Sequence, residues 1–96
     1  MSIGELITEK REAILAIAAR HGARNVRVFG SVARGEAGVG SDIDFLVRFD
    51  PGTTLLTHAA LTRALEDLLG LKVDVVSDRG LRERVRQRVM QEAIPL

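Results

Sequence analysis

Asn25-Val-Arg-Val-Phe-Gly30-Ser31-Val-Ala-Arg34-Gly-Glu-Ala-Gly-Val-Gly40-Ser-Asp42-Ile-Asp44-Phe-Leu-Val-Arg-Phe49 is the stretch on which the reading of this chain turns. Residues 25–29 are short, β-branched and alternating, which predicts a strand. Four glycines between Gly30 and Gly40 then predict a tight loop that lets other groups approach the backbone closely. From Asp42 onward, Ile43, Phe45, Val47 and Phe49 alternate with Asp42, Asp44, Leu46 and Arg48. That period of two sends the large apolar side chains to one face of a second strand and both aspartates to the other.

Working outward, Ser2 and Glu5 form a capping-box pattern, and Ile7, Ile14, Leu15 and Ala18 recur at helical spacing, so a first helix is expected over residues 3–21, stopped by Gly22. Asp50-Pro-Gly marks a turn. Leu61, Ala64, Leu65, Leu68 and Leu69 predict an amphipathic helix that ends at Gly70, and these leucines read as core. Residues 71–76 read as a third strand, with Leu71, Val73 and Val75 on one face and Asp74 on the other. Ser77 or Asp78 can cap a last helix that carries Leu81, Val85 and Val89 on one side. The order helix, strand, loop, strand, helix, strand, helix predicts an α+β fold: a small mixed β-sheet with helices packed mainly on one face and the opposite face left free for a site.

Composition narrows the function. Ninety-six residues suit one domain spanning 1–96, and 46% hydrophobic with 28% charged residues describes a folded chain rather than a disordered one. With no Trp or Tyr and three Phe, stacked aromatic platforms for single-stranded nucleic acid are hard to build, and 14 basic against 13 acidic residues create no global field toward nucleic acid or membrane. Direct nucleic-acid binding is therefore not expected. The absence of cysteine excludes disulfides, thiolate metal sites and a cysteine nucleophile. The longest apolar run is too short for a membrane span and the start lacks a signal-peptide pattern, so a cytoplasmic protein is expected.

The chemistry resides in the acids and the glycines. Two aspartates at i and i+2 on a strand share a face at about 6 to 7 Å along the backbone, near enough to share hard cations. If the third strand lies beside the second, Asp74 joins them. Three carboxylates in one place repel one another unless a counterion is present, and an oxygen-only ligand set suits Mg²⁺ or Mn²⁺. Gly30 and Ser31 begin a backbone cradle of the kind a triphosphate needs, with Arg34 placed to neutralise phosphate charge. No Gly-Lys-Ser/Thr pattern is present, which argues against a P-loop NTPase.

Gly30-Ser31, ten residues, then Asp42-Ile43-Asp44 resembles the Gly-Ser-x10-Asp-x-Asp signature of the polymerase-β nucleotidyltransferase superfamily, a match expected by chance on the order of once in a thousand chains of this length. In length and coverage the chain resembles the minimal nucleotidyltransferase family, the antitoxin partners of HEPN ribonuclease toxins. The resemblance implies an Mg²⁺-dependent enzyme, with two ions, that transfers AMP from ATP to a tyrosine of a HEPN toxin and forms a hetero-oligomer with it. By the same likeness Asp42 and Asp44 bind both ions, Asp74 holds the catalytic ion and activates the attacking hydroxyl, and Gly30 and Ser31 hold the β- and γ-phosphates.

Plainer readings stand beside these. An Asp-x-Asp at a strand entrance can be a solvated turn, Asp74 can be an ordinary polar residue on an open face, and Arg34 can pair with Glu36 or bond loop carbonyls. The arginines of the last helix, interspersed with Glu83 and Glu92, read as a solvent- or partner-facing surface, and His21 and His58 as structural. Two rival functions remain: neutralisation of a partner by binding alone, and nucleotidyl transfer to a small molecule or RNA end.

Overall fold

The computed structural model describes residues 2–38 and 40–96; Met1 and Val39, the latter inside the expected glycine-rich loop, lie outside the described residues. The expected first helix is two segments, α1 (Ile3–Glu9) and α2 (Arg11–Arg20). Its capping box is present, with the Glu5 amide donating to Ser2 Oγ at 3.1 Å and the Ser2 amide to Glu5 Oε1 at 3.4 Å. At Lys10 the backbone opens to φ −95°, ψ 9°, away from helical ψ. Hydrogen bonds from Lys10 N to Leu6 O and from Ile14 N to Lys10 O, both 2.9 Å, bridge the bend. Both segments stay on the core, Ile7 from one and Ile14 with Ala18 from the other.

Strand β1 (Ala23–Phe29) begins two residues before its expected start and carries an irregularity between Arg24 and Arg27, where Asn25 takes φ 51°. A residue inserted in this way shifts the pleat, a shift alternation alone does not show. Strand β2 (Ile43–Phe49) pairs antiparallel with β1, placing Phe29 opposite Asp44. Helix α3 (Leu55–Leu69) is capped by the Thr54 hydroxyl, which accepts from the Thr57 amide at 3.2 Å, and is closed by Gly70 in the left-handed region at φ 69°. It returns the chain to β3 (Val73–Ser77), parallel to β2.

Asp78 does not cap the last helix. It opens a 3₁₀ turn (Asp78–Gly80), and α4 (Glu83–Glu92) starts after Arg82 with no side-chain cap. A two-residue strand absent from the sequence reading, β4 (Ile94–Pro95), then pairs antiparallel with β1, and the sheet order is β3-β2-β1-β4.

The fold is the expected α+β arrangement. Helices α1, α2 and α3 cover one face, where Ile14, Ile43, Phe45, Val47, Leu61 and Leu65 are buried to 1% exposure or less. The other face is less free than expected. Arg27, Leu46 and Val76 are paired across it, Arg27 Nη1 reaches Met90 Sδ of α4 at 3.8 Å, and Leu46 is fully buried, so α4 lies over part of this face. Val85, expected to pack, is 47% exposed; of the apolar side expected for that helix, Val89 is the buried member.

Leu61→Ala is expected to destabilise the fold by about 2 to 5 kcal/mol in urea unfolding, because it opens a cavity in the packed face, whereas Leu55→Ala, at 86% exposure, should change stability by less than about 0.5 kcal/mol.

Candidate active site

The face opposite the core carries the acids. Asp44 and Asp74 are direct partners in the parallel β2–β3 pairing, so their Cα atoms sit about one strand spacing apart, ~5 Å. Asp42 precedes β2 on the same side. Asp74 is exposed and Asp42 and Asp44 are half-buried, so none of the three points into the apolar interior. The backbone on either side of Asp74 is tied to α3: the Val73 amide donates to Glu66 Oε2 at 3.1 Å, and His58 Nε2 donates to the Val75 carbonyl at 2.7 Å. Since that carbonyl can only accept, the bond sets the proton on Nε2, and the His58 ring packs against Phe49 with centroids 4.9 Å apart and planes tilted by 43°. Both side chains also occupy polar groups on the exposed edge of β3.

The acids act on one another electrostatically. The Asp44 carboxyl is raised above its ordinary value, first by burial, then by Asp74 and Asp42, while Arg34 pulls it partly back. Three carboxylates therefore share one field, with a cation on its margin. Among the described residues, no three or more His, Cys, Asp or Glu side chains are already gathered into a metal cage. Mutual repulsion is a physical reason for the acids to stand apart, and the all-oxygen set with an unfavourably charged Asp44 fits a hard divalent cation.

Gly30 ends β1 at φ 73°, directly against Asp44; a Cβ there would collide with the Asp44 carboxylate. Glycine is thus required twice, for its dihedral and for its missing side chain. The Arg34 amide donates to the Gly30 carbonyl at 3.1 Å and closes one α-type turn. Such a turn leaves the amides of residues 31 to 33 without an acceptor of its own, the situation of a helix start that favours an anion. Ser31, half-buried, lies in this turn, and its carbonyl accepts from the Glu36 amide at 2.8 Å.

The structure shows the pairing of Arg34 with Glu36 and adds a second partner. Its Nε donates to Glu36 Oε2 at 3.0 Å and its Nη1 to Glu92 Oε2 at 3.2 Å, while its charge is felt at Asp44. The hydrogen bond to Glu36 and then the charges of Glu36 and Glu92 hold the guanidinium pKa above its ordinary value. The Glu36 pairing was legible from a two-residue separation; the Glu92 pairing spans 58 residues and was not.

A cavity of about 570 Å³ opens beside Asp42, lined among others by Ser2, Ile3, Gly38, Ser41 and Lys72. Of the expected site residues it touches only Asp42, so the open acid face rather than this cavity unites them. Farther along that face Asp78 is fully buried and accepts from Arg48 Nε at 3.1 Å, with Arg27 Nη1 at 3.9 Å and its own Oδ1 without a hydrogen-bond partner among the described residues. Sequence reading missed this cluster because its three members are far apart along the chain.

The nucleotidyltransferase domain family matches residues 10–96. The protein adenylyltransferase MntA of Thermococcus cleftensis is 43% identical over 75 residues, covering 78% of this chain and 76% of that protein. A solved structure provisionally described as a minimal nucleotidyltransferase is 60% identical, with a TM-score of 0.89 over 97% of this chain and 95% of the other. The fold also recurs, at 19% identity and a TM-score of 0.71 over 92% of this chain and 69% of the other, in a complex of tri-AMPylated Shewanella oneidensis HEPN toxin with MNT antitoxin.

Because Asp44 binds its proton more tightly folded than unfolded, in chelator its contribution to stability is present at low pH and is lost as pH rises from the ordinary value of 3.8 through the raised one. Asp44→Asn is expected to remove that loss, raising the melting temperature in EDTA at about pH 7, and to abolish any further rise on adding Mg²⁺.

Proposed function

The chain belongs to the nucleotidyltransferase domain family, in its minimal form, and from that premise we propose that it is an Mg²⁺-dependent protein adenylyltransferase that transfers AMP from ATP to a tyrosine of a HEPN ribonuclease toxin, acting as its antitoxin. The observation that carries this reading is the in-register pairing of Asp44 with Asp74 beside the side-chain-free Gly30. Carboxylates and bare backbone together are what a polyphosphate with its counterions requires.

In this reading Asp42, Asp44 and Asp74 hold Mg²⁺, which when bound supplies positive charge to the phosphate oxygens. The Ser31 hydroxyl and the spare amides of the Gly30 turn hold the β- and γ-phosphates. Arg34 offsets charge on the departing pyrophosphate. Asp74, the exposed member of the trio, accepts the proton of the attacking hydroxyl. The acceptor oxygen bonds to the α-phosphorus as the bond from that phosphorus to the bridging oxygen breaks, and pyrophosphate leaves. The 96 residues contain no tyrosine, so a tyrosine acceptor must come from outside them. The adenylyltransferase relative and the fold shared with a HEPN–antitoxin complex support a toxin as that acceptor and as the partner of a hetero-oligomer.

Incubating the protein with α-labelled ATP, Mg²⁺ and its co-encoded HEPN toxin is expected to label the toxin. Asp42→Asn with Asp44→Asn should reduce labelling by on the order of 100-fold or more, the scale set by loss of a transition-state charge partner. Neutralisation that persists in the double variant would instead favour binding alone, and label passing to an RNA end or small molecule would redirect the substrate. The same incubation without Mg²⁺ should give no product.

A further inference from the structure

We propose that Glu92, the last residue of α4, is a positioning residue that fixes the plane of the Arg34 guanidinium so that its unoccupied edge faces the polyphosphate. The inference rests on the reading of Arg34 as a polyphosphate ligand. A guanidinium is planar and carries five N–H donors. Glu36 engages Nε and Glu92 engages Nη1, and among the described residues both hydrogens of Nη2 and one of Nη1 are uncommitted. Held by Glu36 alone, the group could swing about that one bond and would move with its own loop, since Glu36 is two residues away. Glu92 adds a reference point from a different element.

The topology explains why Glu92 reaches this loop. β1 and β4 pair antiparallel with Arg27 opposite Pro95 and Val28 opposite Ile94, which brings the end of α4 to the end of β1, where the Gly30 turn begins. The chain just after Glu92 is tied down: the Ala93 amide donates to Val89 O at 2.8 Å, and the Leu96 amide to Val26 O at 3.0 Å. The Glu92 side chain is 29% exposed against 64% for Glu36, so its bond to Arg34 is the less screened of the two. Together the two glutamates outweigh the single positive charge of Arg34, so what Glu92 contributes to phosphate binding is orientation rather than attraction.

The test is calorimetric binding of a non-hydrolysable ATP analogue with Mg²⁺, which needs no partner, in variants whose fold is checked by thermal melting. Glu92→Ala is expected to weaken binding about 3- to 10-fold, the scale of one hydrogen-bond anchor. Glu92→Gln keeps an acceptor and should bind within about twofold of the wild type. In an Arg34→Ala background, Glu92→Ala should have no further effect, the non-additivity expected of two residues acting through one contact. Equal weakening by Glu92→Ala with and without Arg34 would assign Glu92 a purely structural role and overturn the proposal. So would wild-type binding by Glu92→Ala when Arg34→Ala binds weakly. Wild-type binding by Arg34→Ala itself would instead overturn the underlying reading of Arg34, and this inference with it.

Discussion

The parallel register of β2 and β3 is the constraint on which the rest depends. It sets Asp44 beside Asp74 on one face and, one residue to either side, Ile43 beside Val73 and Phe45 beside Val75 on the other. Those four apolar side chains are buried, each stabilising by roughly 1.5 to 3 kcal/mol. A partly solvated pair of like charges costs on the order of 1 kcal/mol. Burial on one face therefore holds together what charge on the other would separate, and the register cannot slip by one residue without exchanging the two faces. The bonds from α3 to Val73 and Val75 add a second restraint on the outer strand.

Given that register, the demand on Gly30 follows. β1 runs beside β2 with Phe29 opposite Asp44, so the next residue turns directly over the Asp44 carboxylate. Any side chain there would take the space in which an acid, a cation and a phosphate are proposed to meet. The chain then turns once, bringing Arg34 back near Asp44, and its charge relieves part of the burden imposed by burial and the neighbouring acids.

Much of this was legible in the sequence because it is periodic. The alternation through Phe45 places Asp42 and Asp44 on one face whatever the rest of the chain does, and Leu61, Leu65 and Leu69 of α3 fall in the core by the same logic. The spacing from Gly30-Ser31 to Asp42 pointed to a nucleotidyltransferase, and the family match bears that out. What periodicity does not carry was misread. The bend at Lys10 and the bulge near Asn25 are backbone departures inside segments whose side-chain pattern looks regular. β4 is too short for any alternation to appear. Asp78 resembled a helix cap because short polar residues before helices usually are caps, but here two arginines from other strands claim it.

That claim bears on the acid face itself. Arg48 follows Asp44 by four residues on β2 and so lies about 13 Å further along the same face. Arg27 belongs to the adjacent strand, its side chain 18% exposed beneath α4. An arginine free to swing toward Asp44 and Asp74 would neutralise them as readily as a divalent ion could, and would occupy the space meant for it. Buried Asp78 removes Arg48 from that competition by accepting its Nε–H, and it lies near Arg27 as well. The face is in this way divided along its length. Near α4 the two arginines are engaged by Asp78, while at the other end Asp44 feels the charge of Asp74 and Asp42, offset in part by Arg34. An enzyme whose ligand brings its own cations needs an acidic end of this kind, and here the fold sustains it by holding Arg48 and Arg27 at Asp78.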